Sequence, residues 1–87
     1  QNKEFYKALY CDRLLALLQP ENAYSHLRLA RSYARTNTLN KLIQHLDLAL
    51  QLGLEDKELL RQTKEFHPYM KKDTFKELLL KYEMVWE

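Results

Sequence analysis

Apolar residues recur every three or four positions along most of the chain, which is the spacing of amphipathic α-helices. The pattern is clearest in the middle of the sequence, where the apolar positions are Leu39, Leu42, Ile43, Leu46, Ala49 and Leu50. Thr38 precedes this run and is a residue type that favours the N-cap. Gly53 follows it and fits the left-handed residue that closes many helices. The pattern therefore predicts a helix that begins after Thr38 and ends near Gly53.

The same spacing predicts two helices before this one. The first covers about residues 2–18 and ends ahead of Pro20, because the residue before a proline disfavours the helical region. The second covers about residues 21–35 and is separated from the next helix by the polar sequence RTNT. A break this short leaves the second and third helices as neighbours in a hairpin.

Two further helices are predicted in the last third of the chain. The sequence EDKELLRQTKEF (residues 55–66) gives a short helix, which HPYM interrupts, with the inward positions Leu59, Leu60 and Thr63. The sequence KDTFKELLLKYEMVW (residues 72–86) gives the final helix, which begins near Asp73 or Thr74. Its apolar stripe comprises Phe75, Leu78, Leu79, Tyr82 and Trp86. We expect the aromatic residues of this region to form a small core at the end of the fold, made of Phe66, Tyr69, Tyr82 and Trp86.

The first helix has one broad apolar side, made of Phe5, Ala8, Leu9, Leu15 and Ala16 and widened by Leu14, Leu17 and Leu18. The second and third helices carry apolar residues on more than one side, and in the third helix Leu48 and Leu52 lie off the main stripe. In the second helix, one stripe is Ala23, Leu27, Ala30 and Ala34, and another is His26, Leu29 and Tyr33. A helix that packs on a single neighbour needs only one apolar stripe. These helices are therefore expected to lie between neighbours, as in a stack of helical hairpins.

Residues 23–56 have the length of one tetratricopeptide repeat (TPR), which is about 34 residues. The sequence LARSY (residues 29–33) stands where that family has L-G-x-x-Y, and Ala49 stands at the small position late in the second helix of the repeat. The segment therefore resembles a TPR. The first helix resembles the end of a preceding repeat, with Ala8 at the small position and Pro20 at the closing one. The resemblance implies an all-α fold of antiparallel helical hairpins, stacked as a short TPR-like solenoid of about five helices.

Composition agrees with a single helical domain over residues 1–87. One glycine and two prolines are too few for the many turns of an all-β fold. The length is enough for one small domain and too short for two. No apolar run approaches the length of a membrane span. Because the chain starts at Gln1 rather than at a methionine, we expect it to be a piece of a longer protein.

Three arginines of the second helix, Arg28, Arg31 and Arg35, share one face because they are spaced by three and four positions. A row of guanidinium groups can bind carboxylates or phosphates, although it is also typical of a solvated helix face. In the TPR family the first helix of each hairpin lines the concave groove, and the resemblance assigns groove positions to Tyr24, Leu27, Arg31 and Ala34. The K-x-x-x-N clamp of one TPR subgroup is replaced here by Leu27 and Arg31, so that clamp does not carry over.

These residues predict a non-enzymatic module for protein–protein interaction or scaffolding, which binds a peptide or helix in a groove lined by the second helix. The residues expected to contact the partner are Tyr24, Leu27, Arg28, Arg31 and Arg35. One alternative is nucleic-acid binding by phosphate contacts from the three arginines and Lys41. Another is an accessory or regulatory domain of a larger enzyme or receptor. A net charge of +2 is too small to imply a nucleic-acid partner by itself.

We expect no catalytic site, no metal site and no cofactor. The three histidines, His26, His45 and His67, lack the ligand spacing of known metal motifs. Cys11 has no suitable base within helical reach and is interpreted as a residue that fills space in the helix. A single cysteine excludes an internal disulfide and is compatible with a reducing compartment, which favours a cytoplasmic location without establishing one.

Overall fold

The computed structural model describes residues 3–84, and this part of the chain is helical with no strand. Its six helices are α1 (Lys3–Leu18), α2 (Ala23–Arg35), α3 (Leu39–Gln51), α4 (Lys57–Gln62), a 3₁₀ helix (Lys64–Tyr69) and α5 (Asp73–Lys81). The predicted all-α class is therefore confirmed, and each of the five predicted helices is present. The predictions that involve Trp86 concern a residue outside the described range. Within residues 3–84, no helix is both long enough and apolar enough to cross a membrane.

The region after α4 differs from the sequence prediction of one helix over residues 55–66. The α-helix ends at Gln62, and the 3₁₀ helix that follows contains Pro68. The periodicity explains the change. Phe66 and Tyr69 are both buried and lie three positions apart within this helix, which matches the three residues per turn of a 3₁₀ helix. Thr63, which is also buried, precedes the helix in an extended conformation that separates the 3₁₀ helix from α4.

Three helices end in the same way, with one residue in the left-handed conformation. These residues are Asn37 after α2 (φ 62°), Gly53 after α3 (φ 102°) and Glu83 after α5 (φ 60°). After α3, the Leu54 amide donates a hydrogen bond to the Ala49 carbonyl at 3.1 Å, which is the Schellman pattern. Leu54 and Met84, which follow the left-handed residues of α3 and α5, are buried. The ending that the sequence predicts at Gly53 is therefore confirmed.

The first three helices pack side by side, with α2 in the middle. Only three residues join α2 to α3, which makes the two helices turn back on each other, and His26 near the start of α2 meets His45 in the middle of α3. Four residues join α1 to α2, and Phe5 near the start of α1 lies against Arg35 at the end of α2. Both pairs are therefore antiparallel. The 3₁₀ helix also packs on α2, and α5 packs on α3.

The hydrophobic core lies between α2, α3 and the C-terminal helices. Ala30 of α2 and Ala49 of α3 have no exposed surface, and such small side chains let two helices approach closely. At the C-terminal end the rings of Phe66 and Phe75 are tilted against each other, with centroids 5.8 Å apart. The two apolar stripes of α2 agree with this arrangement, because α2 packs against α1, α3 and the 3₁₀ helix.

The apolar side of α1 is covered only in part, because Ala8, Leu9 and Leu15 are half-buried while the residues that widen this side are exposed. The buried residues of this helix are Asp12 and Ala16, whereas Leu14, Leu17 and Leu18 are 50%, 77% and 80% exposed. The reason is that α1 packs on α2, and the opposite side of α1 has no neighbour among the described helices. The apolar residues of a helix therefore do not by themselves show which of them another helix covers.

Candidate functional site

Four side chains of α2 lie on one side of that helix at spacings of four, three and four residues. We call Tyr24, Arg28, Arg31 and Arg35 the α2 strip. Tyr24 is 52% exposed and the Arg28 side chain is 56% exposed, so this side of α2 is accessible to solvent. Leu27, which the sequence predicts to contact the partner, does not belong to this surface. Its side chain is packed into the hydrophobic core and is only 7% exposed.

Arg28 is paired with a carboxylate of α1. Its Nε lies 3.3 Å from Asp12 Oδ1, and the Ser32 hydroxyl donates a hydrogen bond to Asp12 Oδ2 at 2.5 Å. Asp12 is buried, and a buried carboxylate needs donors of this kind to offset the loss of water. The charge of Arg28 is therefore neutralised within the fold, although its side chain remains accessible.

Arg35 is paired with a carboxylate of the 3₁₀ helix. Its Nε and Nη2 donate hydrogen bonds to Glu65 Oε2 at 3.2 and 3.0 Å, and its guanidinium lies 5.8 Å from the centre of the Phe5 ring. Burial alone would raise the pKa of Glu65. Hydrogen bonds from its own backbone and from Arg35, with the charges of Arg35 and Arg31, outweigh burial and lower the pKa. The ion pair is therefore fully formed at neutral pH and ties the 3₁₀ helix to α2.

Arg31 lies at the centre of the strip and differs from its two neighbours. It is half-buried, and its Nε has no hydrogen-bond partner among residues 3–84. Its charge contributes to the lowered pKa of Glu65, so the guanidinium lies within electrostatic range of that carboxylate. Buried polar groups in folded proteins normally have a partner. The strip thus holds a guanidinium with an unused donor between two that are bound to carboxylates.

An open cavity of about 430 Å³ lies at the C-terminal end of the strip. Its walls include Tyr6 of α1, Arg35 and Asn37 at the end of α2, and Pro68 and Tyr69 of the 3₁₀ helix. The Tyr69 hydroxyl donates a hydrogen bond to Asn37 Oδ1 at 2.7 Å, which fixes one wall, and burial raises the pKa of Tyr69. Ring faces beside a guanidinium can hold an apolar side chain next to an acidic group.

His26 and His45 form a hydrogen-bonded pair between α2 and α3. Their Nδ1 atoms are 3.3 Å apart, and His26 Nε2 lies 2.8 Å from the Pro20 carbonyl oxygen. A carbonyl only accepts, so His26 Nε2 donates to Pro20, and of the two Nδ1 atoms one donates and the other accepts. Burial, with the charges of His26 and Lys41, lowers the pKa of His45 to about 4. Among residues 3–84, no group of three His, Cys, Asp or Glu side chains is placed to hold a metal ion.

Sequence reasoning missed the two carboxylates that organise the strip. Asp12 lies four positions after Ala8 and four before Ala16, on the inward side of α1, and that spacing is a signal that could have located it. Glu65 is thirty residues from Arg35, and no local pattern connects them. Lys41, which the nucleic-acid alternative includes, is exposed on α3 rather than on the strip.

The comparisons with known proteins give no family for this arrangement. The chain matches no protein-family model, no curated protein and no solved structure. The α2 strip and its cavity are therefore interpreted from their own geometry and charge. Three features define the site: an accessible tyrosine at one end, a central arginine with an unused donor, and a cavity with aromatic walls at the other end.

Proposed function

We propose that this chain is a non-enzymatic protein-interaction module, built as a TPR-like unit of helical hairpins, and that its α2 strip binds a short extended peptide. The observation that carries the proposal is Arg31, a half-buried guanidinium whose Nε has no acceptor in the described part of the chain. A buried donor without a partner costs free energy. Because this Nε is itself shielded from solvent, a carboxylate of the ligand would remove that cost once the Arg31 side chain turns outward to meet it. Arg31 is therefore the expected anchor for an acidic residue of the peptide.

The α2–α3 hairpin supports the TPR-like part of the proposal. It falls within residues 23–56, and its small residues Ala30 and Ala49 are fully buried. In a TPR stack the first helix of each hairpin lines the concave groove. Here α2 is the first helix of the hairpin and has α1 and the 3₁₀ helix as further neighbours, which leaves the strip as the accessible side.

The dimensions of the strip suit about five residues of extended peptide. Tyr24 and Arg35 are eleven residues apart in α2, which corresponds to about 16 Å along the helix axis at 1.5 Å per residue. An extended chain advances about 3.3 Å per residue, so about five residues span the same length. Apolar side chains near both ends of the peptide would meet Tyr24 and the cavity beside Pro68, with a carboxylate between them at Arg31.

Charge favours a peptide over the phosphate backbone of a nucleic acid. Two of the three arginines in the strip already bind carboxylates, Arg28 with Asp12 and Arg35 with Glu65. Phosphate binding gains its affinity from many cations that neutralise successive phosphates. One guanidinium with an unused donor suits a single acidic group better than a run of phosphates.

Selection from a random peptide-display library tests the proposal. The 87-residue chain is the bait, and the variant Arg31→Glu is used for counter-selection. We expect the enriched peptides to carry an acidic residue between apolar ones. A labelled peptide from this set should bind the unmodified chain at least about tenfold more tightly than Arg31→Ala. Replacement of the acidic residue of the peptide by its amide should weaken binding to a similar degree.

Arg61→Ala is the matched control, because Arg61 is an exposed arginine of α4 that pairs with Glu58 outside the strip. This variant should bind the peptide as tightly as the unmodified chain. Labelled single- and double-stranded oligonucleotides, at low and physiological salt, test the alternative function. Oligonucleotide binding at physiological salt that Arg31→Glu abolishes would overturn the peptide proposal. Enriched peptides that bind Arg31→Glu undiminished would count equally against it.

A further inference from the structure

The outward side of α1 presents a row of exposed apolar side chains. Tyr10, Leu14, Leu17 and Leu18 follow the spacing of a buried helix face, and Tyr6 extends the row by one turn. We call these five residues the outer stripe. Their exposed fractions are 57% for Tyr6, 66% for Tyr10, 50% for Leu14, 77% for Leu17 and 80% for Leu18. Among residues 3–84, six of the nine exposed large hydrophobic residues are in α1, so this apolar surface is concentrated on one helix.

The outer stripe is separate from the surface that packs on α2. Asp12, which is buried against α2, is two positions from both Tyr10 and Leu14 in the helix. Residues two positions apart point to nearly opposite sides of an α-helix. α1 is therefore an edge helix with one face in the fold and a second apolar face toward solvent. The second face is distinct from the α2 strip from Tyr10 onward, and Tyr6 at its first turn also lines the cavity beside Arg35.

The charges that border the outer stripe are positive. Lys3, Lys7 and Arg13 lie on the same side of α1 as Tyr10 by helical spacing, and all three are exposed. The carboxylates of α1 lie elsewhere, since Asp12 is buried against α2 and Glu4 is six positions before Tyr10, about 120° further around the helix at 3.6 residues per turn. The surface therefore combines an apolar row with a basic border.

We propose that the outer stripe docks an amphipathic helix of another protein, whose apolar face is bordered by Asp and Glu. The row from Tyr6 to Leu18 is about 18 Å long at 1.5 Å per residue, which is more than three helical turns. Side chains at this spacing form the ridges and grooves into which a second helix packs. A second copy of this chain fits less well, because it would bring the basic borders of both copies into one interface. This interaction goes beyond the peptide site proposed for α2.

Two designed helical peptides of equal length test the proposal. Both carry the same leucine stripe, which is bordered by glutamates in one peptide and by lysines in the other. Fluorescence anisotropy of each labelled peptide is measured against the 87-residue chain. We expect the glutamate peptide to bind at least about tenfold more tightly than the lysine peptide. The double variant Lys7→Glu/Arg13→Glu should reverse this preference.

Leu17→Asp should weaken binding of the glutamate peptide by at least about tenfold, because it places a charge within the most exposed part of the apolar row. Leu80→Asp is the matched control, since Leu80 is an exposed leucine of α5 outside the stripe. Thermal melts followed by circular dichroism verify that both variants remain folded. Arg31→Glu should leave helix binding unchanged, which separates this proposal from that for the α2 strip.

Three results would overturn the proposal. The first is equal binding of the two peptides, or no binding of the glutamate peptide. The second is a loss of affinity for the glutamate peptide in Leu17→Asp that is no larger than the loss in Leu80→Asp. The third is a concentration-dependent dimer in sedimentation equilibrium that Leu17→Asp disperses, which would assign the outer stripe to a second copy of the chain.

Discussion

Asp12 of α1 and Ser32 of α2 share a hydrogen bond of 2.5 Å inside the interface between the two helices, with the serine hydroxyl as donor. Asp12 is 5% exposed and Ser32 is fully buried. Arg28 Nε approaches the second oxygen of the same carboxylate, at 3.3 Å, from the solvent side. A shift of α1 along α2 would separate this buried carboxylate from its donors, so the contact opposes such a shift.

Ser32→Ala is expected to destabilise the fold by about 1–3 kcal/mol, since it leaves a buried carboxylate oxygen without its donor. Arg28→Ala should cost about 1 kcal/mol or less, because the Arg28 side chain is half-exposed and such pairs contribute little. Urea denaturation of both variants gives the two free energies of unfolding. A larger loss for Arg28→Ala than for Ser32→Ala would contradict this account of the interface.

Local sequence signals predicted the elements of this fold and part of the candidate site. The spacing of apolar residues defined α2 and α3, and Gly53 defined the end of α3, because helix formation and helix ends depend on near neighbours in sequence. The grouping of Tyr24 with the three arginines also follows from spacing within one helix. These predictions depend on residues close together in sequence and not on the contacts between helices.

Other features depend on contacts between distant parts of the chain, and the sequence did not reveal them. Leu17 and Leu27 are both leucines of predicted helices, yet one is 77% exposed and the other is in the core. The difference comes from the number of neighbours, since α2 packs against several elements and α1 against α2. The pairing of Arg35 with Glu65 is equally non-local. The sequence therefore could not show that an arginine of the α2 strip is already bound to a carboxylate.

Ala49→Phe should destabilise the fold by about 1–3 kcal/mol through overpacking, because Ala49 has no exposed surface and lies in the core. Gln44→Phe is the matched control, since it introduces the same side chain at an exposed position of α3. The denaturation midpoint of this control should stay close to that of the unmodified chain. An unchanged midpoint for Ala49→Phe would count strongly against the close approach of α2 and α3.

Glu83→Gly should stabilise the fold by about 0.5–1 kcal/mol. Glu83 has φ 60°, a conformation that costs an ordinary residue about 1–2 kcal/mol and that glycine adopts freely, although glycine is more flexible in the unfolded chain. Gly53→Ala should show the reverse, a loss of about 1 kcal/mol. A Cβ at residue 53 would meet no atom within 4 Å, so that loss would come from the backbone conformation alone. Thermal melts of both variants measure the change in melting temperature relative to the unmodified chain. A change in the same direction for the two variants would exclude this explanation.

Stability is expected to fall as the pH drops from about 6.5 toward 4. The pKa of His45 is lowered from its ordinary value of 6.5 to about 4 by burial and by the charges of His26 and Lys41. Over this range the unfolded chain binds a proton at residue 45 that the folded chain excludes, so acid favours the unfolded state. The contribution of His45 to the free energy of unfolding is fully present above pH 6.5 and is lost progressively as the pH falls toward 4. Glu65 and Asp47, whose pKa values are lowered from 4.5 and 3.8, begin to lose their own contributions near those ordinary values, so they act at the acid end of this range and below it.

Urea midpoints at several pH values between 7 and 4 measure this dependence. His45→Gln removes the titrating group, so the midpoint of this variant should vary less with pH than that of the unmodified chain. His67→Gln is the matched control, because His67 is an exposed histidine of the 3₁₀ helix, away from the pair. It should retain the full dependence on pH, since the group responsible lies between α2 and α3. If His67→Gln flattened the curve and His45→Gln did not, the acid sensitivity would have to be assigned to the 3₁₀ helix instead of the histidine pair.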